Sequence, residues 1–186
     1  MCIPLSEYRE YLERLVNEKS PILFSNGGIE YASILMSVLL KNTTHSVCMF
    51  CEGFKPELIT QPAYWETLSQ YLEDKGKTLY VLVNSDAFVD SQPLRTLFAE
   101  QRERNFDGTI QIRLISQEGR DDIQTQFNGA LNNFAVFDND MYRLEYEPSD
   151  YKAFGSFNNP EDAKLLLDLF NSVFEKSQPL NDGTAA

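Results

Sequence analysis

Two polar groupings in this chain have the residue types and spacing to do chemistry. The first lies between Leu131 and Asn159, where the apolar run Phe134 to Phe137 ends on Asp138. A second extended run follows, the stretch closes on G-S-F-N at Gly155 to Asn158, and Pro160 opens an apolar helix. Ser156 and Asn158 could hold phosphate oxygens there, or simply hydrogen-bond the strand-to-helix turn, as Ser and Asn do at such junctions. The second grouping is Cys48-x-x-Cys51, which has redox spacing. Reactive pairs sit at helix N-termini, where the dipole lowers the thiol pKa. These two fall in a run of β-formers on opposite faces, because three positions is an odd step along a period of two. They read as core cysteines. His45, the only histidine, reads as a surface residue of a turn.

Asp138 and the G-S-F-N resemble the catalytic half-site of the phospholipase D superfamily, whose motif is H-x-K, four residues, Asp, then G-S-x-N on the next strand. The family's histidine position holds Leu131 and its lysine position holds Asn133. The resemblance implies a phospholipase D-like fold. In that family histidine attacks phosphorus and lysine holds the phosphate oxygens, roles that need an imidazole and a fixed positive charge. Leu131 has no nucleophilic atom and Asn133 no charge. The residual motif positions are then Asn133, Asp138, Ser156 and Asn158, as binding residues with no catalytic residue among them. A small-ligand pocket lined by Asn132, Asn133, Ser156 and Asn158 is the functional alternative to plain turn bonding.

Other candidates are weaker. Asn26-Gly27-Gly28 sits between a strand and a helix, where phosphate can bind, but it lacks G-x-G-x-x-G and the G-K-[ST] of a P-loop. It reads as a turn, with a ligand-sensing role as the alternative. Arg95, Arg102 and Arg104 alternate with Glu100 and Glu103 along one expected helix, the pattern of a solvated face. Tyr142, Tyr146 and Tyr151 could form a partly exposed aromatic patch or pack in the core. A zinc site needs about four ligands, and no second Cys or His pair accompanies Cys48 and Cys51, so neither metal nor cofactor is expected.

Composition bounds the rest. The 186 residues carry 16 basic and 28 acidic side chains, a net charge of −12. Residues 121–186 hold 4 basic and 12 acidic of these, so the acidity surrounds the motif region. Capture of phosphates or anionic lipid needs the opposite sign, which predicts no nucleic-acid and no membrane partner. Three cysteines make no disulfide framework and fit a reducing compartment. No leader pattern precedes Leu5, and no apolar run is long enough to span a bilayer. A cytoplasmic protein is expected.

The elements that must position these residues alternate. Helices are predicted over 5–18, 29–40, from Pro62 to Gly76 and from about Ser91 to Arg104. Strands are predicted at 22–24, 46–51, 78–83 and 109–115. That alternation is the α/β signature, and crossover rules make such strands parallel. Residues 116–130 are polar, with a turn of helix near Asp121 to Phe127. Strands at 134–138, 141–147 and 151–155 then read as an antiparallel meander, and Asn159 with Pro160 opens the last helix. The fold class is α/β, a mostly parallel central sheet with an antiparallel C-terminal meander and helices on both faces. Residues 1–177 form one domain and 178–186 a disordered tail. The leading function is a non-catalytic module that binds a protein partner or pairs as a homodimer. The alternative is an enzyme with a rebuilt site acting on a phosphoester or small metabolite.

Overall fold

The structure is a computed structural model that describes residues 3–52, 55–85, 92, 93, 95, 96, 99, 103 and 108–180. Its described elements, in chain order, are α1 (Leu5–Asn17), β1 (Phe24–Asn26), α2 (Ile29–Lys41), β2 (Ser46–Cys51), α3 (Pro56–Ile59), α4 (Pro62–Glu73), β3 (Thr78–Val83) and β4 (Thr109–Leu114). They continue with α5 (Gln117–Gln126), β5 (Phe134–Phe137), β6 (Met141–Glu147), β7 (Lys152–Ser156), α6 (Pro160–Glu175) and β8 (Gln178–Pro179). The expected helix between Ser91 and Arg104 lies largely outside the described residues, Arg102 and Arg104 included.

One sheet collects all eight strands in the order β1-β7-β6-β5-β2-β3-β4-β8. Only β2–β3 and β3–β4 pair in parallel; the other five pairings are antiparallel. The expectation of a mostly parallel sheet is therefore corrected to a mixed one. β1 does run in the same direction as β2, as a strand–helix–strand crossover requires. The meander β5–β6–β7 is inserted between them, and β1 pairs antiparallel with β7 at the edge. Edge position also explains why the strand starts at Phe24 and leaves Ile22 and Leu23 exposed, where a buried strand over 22–24 was expected.

Helices cover both faces. α1 to α4 pack on one face around Leu12, Leu35, Leu39, Leu68 and Leu72, against Val47, Val81 and Phe137 of the sheet. α5 and α6 pack on the other around Ile123, Phe170 and Val173, against Phe50, Leu82 and Val136. α2 is apolar on nearly every side because it is enclosed by α1, α4 and the sheet: every residue from Ala32 to Leu40 is buried. A fully buried Leu or Ile contributes about 1.5–3 kcal/mol, so this helix anchors its whole layer. α5 is a full helix where one turn was expected. Its start is capped by Ser116, whose hydroxyl accepts from Gly119 N at 3.1 Å.

The tail does not begin at Gln178. Gln178 and Pro179 pair with Leu114 and Arg113 on the β4 edge, and Leu180 N donates to Ile112 O at 2.9 Å. Residues 181–186 lie outside the described set.

Candidate functional site

Strand alternation decides which side chains meet. Arg143 and Glu145 of β6 face the α1–α4 layer together with Asn133 and Ala135 at the start of β5. Across the sheet, Arg143 stands beside Ala135 and Gly155, and Glu145 beside Ala153. Small neighbours leave room for the two long polar chains to lie down within the core layer.

There they form a closed network. Arg143 Nη2 donates to Glu145 Oε1 at 3.1 Å and to Tyr151 O at 3.3 Å, and its Nε donates to Asn26 Oδ1 at 3.4 Å. Asn133 Nδ2 donates to Glu145 Oε2 at 2.6 Å, and Asn133 Oδ1 accepts from Glu52 N at 2.8 Å. Asn26 Nδ2 donates to Tyr151 O at 2.6 Å. Arg143, Glu145, Asn133 and Asn26 are all more than nine-tenths buried. A buried ion pair is tolerated when further hydrogen bonds satisfy both partners, and these supply them. Tyr151 holds a left-handed conformation, φ 54°, which directs its carbonyl at both donors. A non-glycine residue held there stores strain that its surroundings must offset.

Beside this network is a cavity of about 60 Å³. Its walls are Met36, Met49, Ile59, Tyr64 and Ala135, and its polar residues are Lys55, Asn133, Arg143 and Glu145. It lies at the carboxyl end of β2, beside the start of β5, the end of an α/β sheet where ligands gather. Lys55 reaches Pro148 O at 2.5 Å and sits over the Tyr151 ring, 4.6 Å from its centre.

The four motif positions do not converge. Asn133 is at the cavity end, while Asp138 lies five residues further along the chain, about 16 Å away at 3.3 Å per residue. Asp138 Oδ2 accepts from Thr44 N and Oγ1, each at 2.8 Å, and Oδ1 from His45 N at 2.8 Å and Ser46 N at 3.0 Å. Burial raises its pKa, but these bonds outweigh burial and hold the carboxyl below its usual range. Ser156 is fully buried, and its hydroxyl accepts from Asn158 N at 3.2 Å. Asn158 Nδ2 donates to Lys19 O at 2.6 Å, tying α1 to the start of α6. Gly155 is glycine for steric reasons: a Cβ there would stand 2.0 Å from Tyr142 O and 2.7 Å from the Phe24 ring. The family's G-S-x-N follows on the next strand, yet here the next strand after Asp138 is β6. Gly155 and Ser156 are one strand beyond it, on β7, level with Ala135 and Val136 and two strands away from Asn133. Leu131 packs, half-buried, against the α5–α6 layer, and Asn132 is half-buried without lining the cavity.

The remaining candidates separate cleanly. Cys48 and Cys51 are buried and face opposite layers, and burial pushes the Cys48 thiol up to about 12. His45 is exposed. Gly28 N donates to Asp150 O at 2.8 Å, so the Asn26–Gly28 turn is held by protein. The three tyrosines form no single patch: Tyr142 is buried with its hydroxyl on Asp162, Tyr146 is half-exposed against Phe154, and Tyr151 lies under Lys55. Among the described residues no cluster of His, Cys, Asp and Glu could hold a metal ion. Among them also, no helix is long and apolar enough to cross a membrane.

Arg143 and Glu145 are the site residues that sequence reasoning missed, while Asn26 was singled out only as part of a turn. A signal existed, since Arg143 and Glu145 alternate with Met141 on one side of β6. Tyr142 and Leu144, on the other side, pack against the α5–α6 layer, so both faces of β6 are covered.

No family model matches this chain, and no curated protein matches it. Two solved structures are similar in fold. One is Nuc, a phospholipase D family member from Salmonella typhimurium, at TM-score 0.53 and 12% identity, covering 86% of this chain and 99% of Nuc. The other is TrmBL2, an archaeal chromatin protein with a novel mode of DNA binding, at TM-score 0.53 and 10% identity. That match covers 94% of this chain but only 62% of TrmBL2. The chain therefore has a phospholipase D-like α/β fold. The partner expectation, a protein or second copy with nucleic acid excluded, is corrected by TrmBL2. A DNA-binding chromatin protein shares this fold, so net acidity does not remove nucleic acid from what such a fold accommodates.

Proposed function

We propose that this chain is a non-catalytic phospholipase D-like regulatory module, its domain extended through the β8 residues Gln178 and Pro179. The observation that carries the reading is the Asn133–Glu145–Arg143 network. Phosphoester chemistry at the motif strand needs a nucleophile and an uncommitted cation. Asn133, at the lysine position, instead donates to a buried carboxylate, and that carboxylate already holds the nearest guanidinium. Leu131, at the histidine position, serves the apolar packing of the opposite layer. Loss of a nucleophile alone removes on the order of 10⁴ to 10⁶ in rate. Cys48 and Cys51, buried as core thiols, support the cytoplasmic setting expected from the cysteine count.

The test is turnover of bis-p-nitrophenyl phosphate, single-stranded DNA and phosphatidylcholine by purified protein. No hydrolysis above background is expected. Hydrolysis that Asn133→Ala abolishes would overturn the reading and establish a rebuilt active site at this end of the sheet.

A further inference from the structure

The two faces of the sheet are unequally covered. On the α5–α6 side, α6 lies on β5, β2 and β6, and among the described residues no helix packs extensively on β7 or β1 from this side. The helical cover ends at β6. There Leu144 stands beside Phe154 and Phe154 beside Ser25, and the Tyr146 ring lies 6.1 Å from the Phe154 ring. Leu144 and Phe154 are half-buried, and Tyr146 is 51% exposed. The described parts of the neighbouring connections lead elsewhere. Gln92, Pro93 and Thr96, between β3 and β4, share a pocket with Trp65 of the opposite layer, and Leu180 packs in that layer too.

Charge and backbone chemistry select what covers this small apolar face. The elements that build this side, α5, α6 and the β6–β7 hairpin, carry ten carboxylates and four cations. Three of the cations already sit on carboxylates of the same elements: Arg143 on Glu145, Lys152 on Glu147 and Asp150, and Lys164 on Asp168. The fourth, Arg120, donates to Asn84 O. A second copy of this chain would set one acidic border against another, and like charges so placed oppose association. A cationic partner meets the opposite sign. β7 is bonded along both edges, by β1 and β6, so the face offers side chains rather than backbone groups. Its occupant must satisfy its own backbone hydrogen bonds, as a helix does. We propose that this face docks an amphipathic helix of a protein partner, its apolar stripe on Leu144, Tyr146 and Phe154 and its Lys or Arg side chains over the acidic border. Such a helix completes the layer beside α6. The inference rests on the non-catalytic module reading and names the chemistry of the module's partner.

Titration calorimetry on the full chain tests it with two synthetic peptides of about five helical turns. One is built of Leu and Lys at amphipathic helical spacing, the other of Leu and Glu in the same pattern. The Leu/Lys peptide is expected to bind saturably, about tenfold or more tighter than the Leu/Glu peptide. Tyr146→Ser should weaken that binding by about tenfold or more, as truncating an aromatic anchor does. Ile3→Ser, at an exposed apolar residue beside α1, should leave it unchanged. Tyr146→Lys, which also sets a like charge against the peptide, is the second variant should Tyr146→Ser fail to fold. Absence of saturable binding, equal binding of the two peptides, or binding undiminished in a folded Tyr146 variant would each overturn the proposal. So would a dimer seen by light scattering, or a bound single-stranded oligonucleotide, that Tyr146→Ser abolishes, because either gives the face another occupant. Bis-p-nitrophenyl phosphate turnover is measured on the same samples. Hydrolysis there refutes the non-catalytic reading, whereas missing peptide binding without hydrolysis refutes only the partner.

Discussion

Asp138→Asn should cost roughly 2–3 kcal/mol, a large part of the 5–15 kcal/mol typical of a folded chain. The carboxylate accepts four hydrogen bonds, two on each oxygen, from Thr44, His45 and Ser46. An amide of the same shape keeps one acceptor oxygen and turns its NH₂ toward the other two donors. Two bonds to a charged acceptor, at about 1.5–3 kcal/mol each, set an upper limit of about 6 kcal/mol. Asp138 is only half-buried, so water and screening reduce this to the lower figure. Backbone strain does not confuse the comparison, because Asn tolerates the left-handed φ of 53° found here. Urea unfolding at neutral pH, with an unchanged slope, measures the loss. The folded-state pKa is depressed, so this contribution is complete above the unfolded value near 3.9 and declines as pH falls through the folded one. The gap between wild type and Asp138→Asn should therefore narrow below about pH 4. A loss under about 0.5 kcal/mol at neutral pH, or a gap that is constant into acid, would refute the reasoning.

Gly155→Ala places a Cβ against Tyr142 O and the Phe24 ring and should destabilise by about 3 kcal/mol, seen as a lower melting temperature. Glu145→Ala leaves Arg143 buried without its counter-ion and should cost about 3–5 kcal/mol in urea unfolding, with Glu145→Gln costing less because it keeps the shape. A chain ending at Leu180 should melt like the full chain, whereas one ending at Ser177 should lose about 1 kcal/mol with the β4 ladder bonds.

Local signals made much of this fold legible. The unbroken apolar run of α2, the TLYVLV of β3 and the Asn159-Pro160 entry to α6 each carry their own conformation, and each forms as read. Asn159 even caps as expected, its side chain accepting from Asp162 N at 3.2 Å. What stayed hidden depends on partners far along the chain. Nothing within Phe24–Asn26 says that its neighbour is β7 rather than β2. Gln178 and Pro179 are polar or ladder-poor residues that pair only because the β4 edge is free to receive them. At the site, Asn133 was singled out for its position in a motif, but its importance comes from Glu145, twelve residues away on the neighbouring strand. Ser156 was legible as a turn-former and its hydroxyl accepts from Asn158 N, whereas the Asn158 side chain reaches out of the turn to Lys19 O.

The pairing of β1 with β7 also has a consequence for biosynthesis. Phe24–Asn26 meets its partner strand only when the chain has grown by roughly 130 residues, and ribosomes add about 5–20 residues per second. For on the order of ten seconds, α1 and α2 are outside the ribosome with the β1 edge still unmade. The apolar flank of α2 must wait on the nascent chain for most of its sheet. Folding that awaits such distant contacts is slow, and the exposed helix is a natural holding point for chaperones. Variants that weaken the β1–β7 seam, Gly155→Ala among them, should lower soluble yield in cells by more than their melting temperatures indicate.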